Sequence, residues 1–374
     1  MRLILPTALE VSYDSAMSDD GNRSTVVPLM RPRLPTADQV LPRLRSIDAS
    51  GWYSNFGPQV RSLEARLAEL LGVPAETVIT AASATRGLEG ALAISGTHRW
   101  EVPAWTFAAT VGAALGAGKQ LRFVDVEEHS WWLESSAPAR IVVAPFGSWR
   151  DDVILSCDEV VVDAAASLGA MPRLSGIGPR VTVVFSLGAT KVLGSGEGGF
   201  AVFGSAERAE QFREWTRHGF RDDRIAYTIG SNAKLSEHAA AYAHTALDLW
   251  GQERAEWDRA RGLARDVEHA TGLTSHPGVA AHPNPYWIVM FPDRGTRDLA
   301  ERTLAAHGVE TRRWWADGCH RMPGFEAVER GDLPRSDRAA ETSLALPMFR
   351  EIGEIEAHRI ADALRQTRLL AGTW

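Results

Sequence analysis

Hydrophobic and polar residues follow two patterns along the chain, one helical and one strand-like. In residues 60–71 apolar side chains recur every three or four positions, arginine and glutamate take most other positions, and Gly72 follows. This spacing predicts an amphipathic helix that ends at Gly72. Short runs rich in β-branched and aromatic residues predict strands that are buried on both faces. These runs are residues 77–80, 100–102, 121–124, 141–144, 160–162, 181–185 and 200–203.

Helical patterns lie between and after these strands and divide the chain into domains. The alternation predicts a large α/β domain over residues 27–250, with a mixed, mostly parallel sheet. Its last helix is predicted at 236–250, and a separate charged helix at 252–271 leads away from it. A further strand and two helices after Pro283 predict a smaller α+β domain over residues 251–374. Small and polar residues near the start predict a flexible arm over residues 1–26.

Composition and charge exclude several classes of protein. Of the 374 residues, 45% are hydrophobic and 23% are charged, which is typical of a folded globular protein. The formal net charge of −7 disfavours a broad surface for nucleic acid or for an anionic membrane. No run approaches the roughly 18 apolar residues that a membrane span needs, so a cytoplasmic protein is expected. Cys157 and Cys319 are too far apart for a metal knuckle, and we predict no metal site.

Residues 185–199 carry the most informative candidate chemistry. They include Gly194-x-Gly196-x-x-Gly199, which matches the glycine fingerprint of dinucleotide-binding proteins. A helix should follow such glycines, but a β-branched and aromatic run follows them here, so we reject that interpretation. Lys191 lies in the same apolar stretch. From the residues alone it is either an exposed surface lysine or an amine nucleophile.

Motifs along the chain together resemble one known family. Phe185-Ser186-x-x-x-Thr190-Lys191 with Gly196-Glu197-Gly198-Gly199 resembles the lysine segment of the DegT/DnrJ/EryC1/StrS sugar aminotransferases. These enzymes depend on pyridoxal 5'-phosphate and have the aspartate aminotransferase fold, fold type I. Further matching segments are residues 57–64, 83–85, 103–107, 161–165, 230–237 and 346–348. The resemblance runs from about residue 27 to the end of the chain.

The resemblance implies a role for each cofactor-site residue. Lys191 would attach the cofactor covalently and then serve as general acid and base, and Asp163 would keep the ring nitrogen protonated. The phosphate would be bound by the N-terminus of the helix after Ser83, with the side chain of a second segment beside it. The residues implied there are Ala84, Thr85 and Ser186. On their own, Asp163 and the Ala84–Thr85 pair also read as helix caps.

Two further residues are implied by the family alone. Trp105 would stack on the cofactor ring, although a core aromatic is an equal alternative. Asn232 would reach the phosphate bound by a neighbouring subunit, which makes the protein an obligatory homodimer with shared active sites.

The resemblance also implies a reaction, but it leaves the acceptor open. The expected activity moves an amino group from an amino acid, glutamate or glutamine, to a nucleotide-linked keto sugar in glycan or natural-product biosynthesis. Ala166 stands where the family usually has glutamine or histidine. Residues expected near the acceptor are Ser54, Phe56, Ala166, Ser167, Trp314 and His320. The alternatives are a sugar dehydratase of the same family, in which histidine replaces the lysine, and a non-catalytic sensor or scaffold.

Overall fold

The computed structural model describes residues 26–372, so the predicted arm lies, apart from Val26, outside the described residues. Two helices open the fold, α1 (Ala37–Ser50) and α2 (Pro58–Leu71). The apolar face of α2 is fully buried through Val60, Leu63 and Leu67. Gly72 ends the helix in the left-handed conformation with a φ of 71°, which only glycine adopts at low cost. The helix and its end are confirmed as predicted.

The large sheet has eight strands and is mixed but mostly parallel, as predicted. Its strands are β1 (Val78–Ala81), β2 (Arg99–Pro103), β3 (Gln120–Val124), β4 (Ala139–Val143), β5 (Glu159–Asp163), β6 (Val181–Ser186), β7 (Gly199–Phe203) and β10 (Glu329–Arg330). Their order is β1-β7-β6-β5-β4-β2-β3-β10. Strand β7 runs antiparallel to both of its neighbours, β1 and β6, and the other neighbouring pairs of this sheet are parallel. The carboxyl ends of β2 to β6 therefore meet at one edge of the sheet.

The connections between the parallel strands are unequal. Helix α3 (Ala84–Ala93) follows β1 and helix α4 (Ala108–Gly116) follows β2, whereas the connections from β3 through β6 contain only turns and 3₁₀ helices of three or four residues. Buried side chains in those short connections, such as Trp132, Ile154 and Leu174, join the main hydrophobic core. The sheet is thus covered without a helix on each crossover.

After α5 (Ala206–Thr216), a single helix of 35 residues, α6 (Glu237–Thr271), runs through the position where the sequence predicts a break. The prediction of two helices is wrong. Gly251 lies inside α6, where glycine costs about 1 kcal/mol relative to alanine. Packing against α1, α2 and the C-terminal helix α10 (Glu354–Ala371) offsets that cost. The domain boundary at residue 250 falls within this helix and stays a prediction.

A second sheet of three antiparallel strands forms from the C-terminal part. Its order is β11-β9-β8, with β8 (Thr274–Ser275), β9 (Trp287–Met290) and β11 (Ser343–Leu346). Around it lie α7 (Pro277–Ala280), α8 (Arg294–Ala306), α9 (Pro334–Thr342) and α10. Strand β10 comes from this part of the chain but pairs with β3 of the large sheet.

Two of the sequence motifs join at the start of α2. The fully buried Glu237 accepts hydrogen bonds from the backbone N–H groups of Gln59 and Val60, at 2.7 and 3.2 Å. This carboxylate caps the helix, because the first N–H groups of a helix have no partner within it. Gly57 leaves room for it, since a Cβ atom there would lie 2.7 Å from the Glu237 side chain.

Candidate active site

Two neighbouring parallel strands bring the predicted lysine and aspartate to one edge of the sheet. Strand β5 ends at Asp163, which lies beside Val184 of β6. Lys191 follows β6 in a loop that folds back on itself, with backbone hydrogen bonds from Leu187 to Gly198 and from Ala189 to Gly196. Strand β7 follows the glycines directly, which confirms that they do not form a dinucleotide fingerprint. The glycines instead let this loop turn tightly.

Asp163 is a buried carboxylate with neutral partners. Its side chain is 8% exposed, one oxygen accepts from the Thr110 hydroxyl at 2.6 Å, and the other accepts from the Ala165 N–H at 3.1 Å. Burial raises the pKa of Asp163, and these two hydrogen bonds and the nearby Lys191 amine oppose that rise. A cation placed against this carboxylate would be held strongly.

Lys191 has a partner that the sequence did not indicate. Its Nζ donates a hydrogen bond of 2.9 Å to the hydroxyl of Tyr286, the residue before β9. No motif marks Tyr286, and the only signal was its position at the start of a predicted strand. The chain has two other lysines, Lys119 and Lys234. Lys119 donates to the Ser95 carbonyl and Lys234 to the Asn232 side chain, so Lys191 is the lysine that lies near Asp163.

The predicted phosphate donors meet in one corner. Ser83 caps α3, and Ala84 and Thr85 are its first two residues, with Thr85 exposed. Gly199 packs directly under this helix start, since a Cβ atom there would lie 2.5 Å from the Ala84 nitrogen. Ser186 is paired with Gly199 across the β6–β7 ladder. A helix N-terminus with two hydroxyls beside it is a suitable anion site.

Next to Lys191, starting at Tyr286, lies a group of packed rings that we name the aromatic cluster. It consists of Trp105, Trp131, Phe146, Tyr286, Trp314 and Trp315. Phe146 stacks on Trp315 with ring centroids 4.0 Å apart, and Tyr286 meets both Phe146 and Trp314 edge-on. Ala166 is partly buried against the hydrophobic core that contains these rings.

Trp105 lies inside the aromatic cluster and not at an open surface. It is 1% exposed and meets Trp131 and Trp315 edge-on. Phe107, two residues later, is 55% exposed at the start of α4, and its carbonyl accepts from the N–H of Thr110, which binds Asp163. The exposed ring of this segment is therefore Phe107, which the sequence reasoning did not single out. The two rings lie so close in sequence that the pattern could not separate them.

Several residues predicted near the acceptor have other partners in this chain. Ser167 is fully buried and its hydroxyl donates to the Ser148 carbonyl, so it is not free to bind a substrate. Phe56 belongs to the main hydrophobic core, under the Arg213 guanidinium. Ser54 is half-buried, and its carbonyl accepts from the Trp52 indole.

Trp314 and His320 lie in different surroundings. Trp314 is half-buried and packs against Tyr286, the residue whose hydroxyl accepts the hydrogen bond from the Lys191 amine. His320 is buried and its Nε2 lies 2.8 Å from an Asp337 carboxylate oxygen. The structure brings Trp314 towards Lys191, whereas Asp337 engages His320.

Asn232 is exposed and lies at the base of a protruding segment. Its side-chain oxygen accepts from Lys234 at 2.7 Å, and its backbone bridges to Arg217. Ile229, three residues before it, is 94% exposed. An apolar side chain so open to water is a candidate for contact with another chain.

The residues at this edge fit pyridoxal phosphate. Asp163 offers a buried carboxylate with neutral partners, Lys191 an amine, α3 an anion site, and Phe107 an exposed ring. In that order, the four groups suit the protonated ring nitrogen, the aldehyde, the phosphate and the flat ring face of the cofactor. Among residues 26–372, no group of three or more acidic, histidine or cysteine side chains is arranged to hold a metal ion.

Comparison with known proteins decides the family. The model of the DegT/DnrJ/EryC1/StrS aminotransferase family matches residues 36–145 and 159–365. The chain belongs to this family. The predicted family, fold type and class of enzyme are thereby confirmed.

Two similar enzymes are named as nucleotide-sugar aminotransferases, and one similar solved structure contains a TDP-sugar. A UDP-N-acetyl-3-dehydro-alpha-D-glucosamine 3-aminotransferase of Acidithiobacillus ferrooxidans is 27% identical, covering 92% of this chain and 99% of its own. A dTDP-3-amino-3,4,6-trideoxy-alpha-D-glucose transaminase of Streptomyces venezuelae is 32% identical over 55% of this chain and 56% of its own. A crystal structure of DesI, determined with its TDP-sugar product, is 29% identical with a TM-score of 0.80, covering 94% of this chain and 96% of its own.

This family member has no described helix suited to crossing a membrane. In the part of the chain from residue 26 to 372, the long helices are too polar for a bilayer.

Proposed function

We propose that this protein is a pyridoxal phosphate-dependent aminotransferase that moves an amino group from glutamate or glutamine to a nucleotide-linked keto sugar. The family supports the reaction class, and the relatives that are nucleotide-sugar transaminases support the acceptor class. The observation that carries the proposal is the meeting of Asp163 and Lys191 at one edge of the sheet.

The cofactor supplies an electron sink that makes the proton on the amino-bearing carbon removable. The buried Asp163 carboxylate would stabilise the positive charge of the protonated ring nitrogen. Lys191 holds the cofactor and, once its amine is free, takes and returns the proton. The Tyr286 hydroxyl orients the Lys191 amine, while the start of α3 with Thr85 and Ser186 binds the phosphate. The exposed Phe107 would supply a flat surface for the cofactor ring.

The proposal includes a homodimer with shared active sites. The segment before Asn232 presents the exposed apolar side chains Ile225, Tyr227 and Ile229. Trp52 and Tyr53 are also exposed. Contact between two copies through such surfaces would bury them, and would carry Asn232 to the phosphate held by the partner. The cytoplasmic location stays a prediction.

The test is to map the lysine that carries the cofactor and to follow its absorption. The purified protein with pyridoxal phosphate should be yellow, and borohydride should then fix the cofactor to one peptide. We expect the peptide with Lys191 and neither the one with Lys119 nor the one with Lys234. Lys191→Ala should abolish the band and the transfer.

Amino donors should then bleach the yellow band of the wild-type protein, and a keto sugar should restore it. A protein that binds cofactor but responds to no donor would be a sensor or scaffold. Release of water from a sugar without net amino transfer would indicate a dehydratase, which the retained Lys191 argues against.

A further inference from the structure

Three arginines line a narrow pocket that opens on the loop of Lys191. The pocket lies between residues 30–33, residues 189–192 and residues 348–350, with Trp257 and Pro285 completing its wall. The arginines are Arg31, Arg33 and Arg350. Such a density of positive charge on the wall of a pocket that Lys191 also lines indicates a site for an anion.

Two of the three arginines are already neutralised. Arg33 forms ion pairs with Glu256 and Glu351 at 2.8 and 2.9 Å. Arg350 is buried, pairs with Glu253 and donates to the Arg33 carbonyl at 2.9 Å. These two side chains therefore build the wall of the pocket.

Arg31 differs from both, because none of the described acidic side chains lies within ion-pairing distance of it. Its guanidinium carbon lies 4.6 Å from the centre of the Phe349 ring. A guanidinium that stacks on a ring keeps its N–H groups available in its own plane, where they can bind a carboxylate through two parallel hydrogen bonds.

The backbone before Arg31 is held by hydrogen bonds to distant parts of the chain. The Leu29 N–H donates to a Glu310 carboxylate oxygen at 2.9 Å, and the Leu29 carbonyl accepts from Met348 at 3.1 Å. Met30 packs against the hydrophobic core that contains the aromatic cluster. This segment thus presents Arg31, which pairs with no described carboxylate, to the pocket that Lys191 also lines.

We infer that Arg31 binds the α-carboxylate of the amino donor. The inference rests on the proposed function and adds the residue that selects an amino acid as donor. In an α-amino acid the amino nitrogen and the carboxylate are attached to the same carbon. A carboxylate site must therefore lie close to the lysine whose place the amino group takes, and Arg31 and Lys191 line one pocket. The cofactor phosphate has its own donors at the start of α3.

The test compares two donors that differ only in that carboxylate. One is L-glutamine and the other is the amine that remains when glutamine loses its carboxylate. The half-reaction with each is followed by the absorption of the cofactor in the wild type, in Arg31→Gln and in Arg33→Gln. Arg33→Gln is the matched control, because it removes an arginine of the same pocket whose charge is already paired.

We expect Arg31→Gln to weaken the use of glutamine about 10- to 100-fold, the scale of a charge-assisted hydrogen-bonded pair. The decarboxylated amine should change by less than about 2-fold, and Arg33→Gln should alter both donors by less than about 2-fold. Arg31→Lys keeps the charge without the planar fork, and should lie between wild type and Arg31→Gln. The folding of each variant is checked by its thermal unfolding transition.

A second measurement does not depend on turnover. Glutarate has carboxylates but no amino group, and its affinity for the cofactor-loaded protein is measured by calorimetry. We expect Arg31→Gln to lower that affinity about 10-fold and Arg33→Gln to leave it unchanged.

Equal losses for both donors, or an unchanged glutamine reaction, would overturn the inference. So would a loss confined to the nucleotide-sugar half-reaction, which would assign Arg31 to the acceptor diphosphate. If no amino acid reacts with the wild type, the proposed function fails, while the glutarate titration still decides whether Arg31 binds a carboxylate.

Discussion

The cofactor side and the aromatic cluster both border Lys191, and the chain builds them in different ways. The cofactor side uses the ends of β5 and β6 and the start of α3, and each of these carries a short local motif. The aromatic cluster draws its rings from positions between Trp105 and Trp315, and no local motif announces them. Groups that depend on backbone geometry are thus visible in sequence, whereas contacts formed by distant side chains are not.

The two sides also differ in what their residues contribute. Burial raises the pKa of Asp163, which means that keeping this carboxylate charged costs stability. Its role is in the reaction. The rings of the aromatic cluster are apolar and tightly packed, and their burial contributes to folding. We therefore expect substitutions on the cofactor side to change reaction rates and those in the cluster to change stability.

The largest effect is expected for Trp105→Ala. Removing a fully buried indole leaves a cavity in the aromatic cluster and should lower the free energy of unfolding by about 3–5 kcal/mol. The yellow band should persist in the folded protein. Urea unfolding of the cofactor-free protein measures the loss.

Phe107→Ala is the matched control for Trp105→Ala. Because Phe107 is largely exposed, its removal should cost less than about 1 kcal/mol of stability but weaken cofactor binding by about 0.5–1.5 kcal/mol. If Trp105→Ala folds and fails to bind cofactor while Phe107→Ala binds normally, Trp105 is the ring that contacts the cofactor.

A pH-dependent loss of stability is expected from His276, which packs against Trp131 with ring centroids 4.0 Å apart. Burial lowers the pKa of His276 to about 4, from an ordinary value of 6.5, and a hydrogen bond with the His129 backbone opposes this. Between these values the unfolded chain binds a proton that the folded protein excludes. Stability should therefore fall as the pH drops from 6.5 towards 4, by about 3 kcal/mol in total.

Unfolding measured across this pH range tests the assignment. His276→Phe should reduce the slope, and the remainder belongs to groups such as His244 and His282, whose pKa burial also lowers. His358→Ala, at an exposed position of α10, should leave the wild-type slope. An unchanged slope in His276→Phe would place the titrating group elsewhere.

Asp163→Asn should separate chemistry from stability on the cofactor side. We expect the donor half-reaction to slow by about 100-fold, which equals about 2.7 kcal/mol. The cofactor-free variant should be at least as stable as wild type at pH 8, because the buried charge is gone. Stopped-flow absorption and thermal unfolding give the two values. A clear loss of stability would mean that the Asp163 charge supports the fold.

The smallest effect is expected for Tyr286→Phe, which keeps a ring in the aromatic cluster and removes one hydrogen bond to Lys191. A net loss of about 0.5–1.5 kcal/mol corresponds to a rate lower by about 2- to 10-fold. The pH at which the yellow band titrates should shift, which a purely structural role of Tyr286 would not cause. An unchanged titration would show that the hydroxyl does not act on the amine.

The sequence predicted most of the fold because its signals there are local. The 3.6-residue period of α2 and the uniform apolar runs of β5 and β6 describe elements whose neighbours in sequence decide their form. It failed at Gly251, where glycine suggested an end and tertiary packing on α6 prevailed. The sequence also could not show that the Ser167 hydroxyl points to the Ser148 carbonyl, or that Trp105 is buried while Phe107 is exposed. Both outcomes depend on contacts with residues that are distant in sequence.

The Glu237 cap has a consequence for how the chain acquires its structure during synthesis. Helix α2 receives the carboxylate that completes its first turn from a residue made 178 positions after Gln59. Strand β1, the first strand among the described residues, likewise finds its partner only in β7. Helix α2 and strand β1 therefore leave the ribosome before their partners exist. A nascent chain that stops before residue 199 would lack both partners, and the apolar face of α2 and the edge of β1 would be open to chaperones or to aggregation.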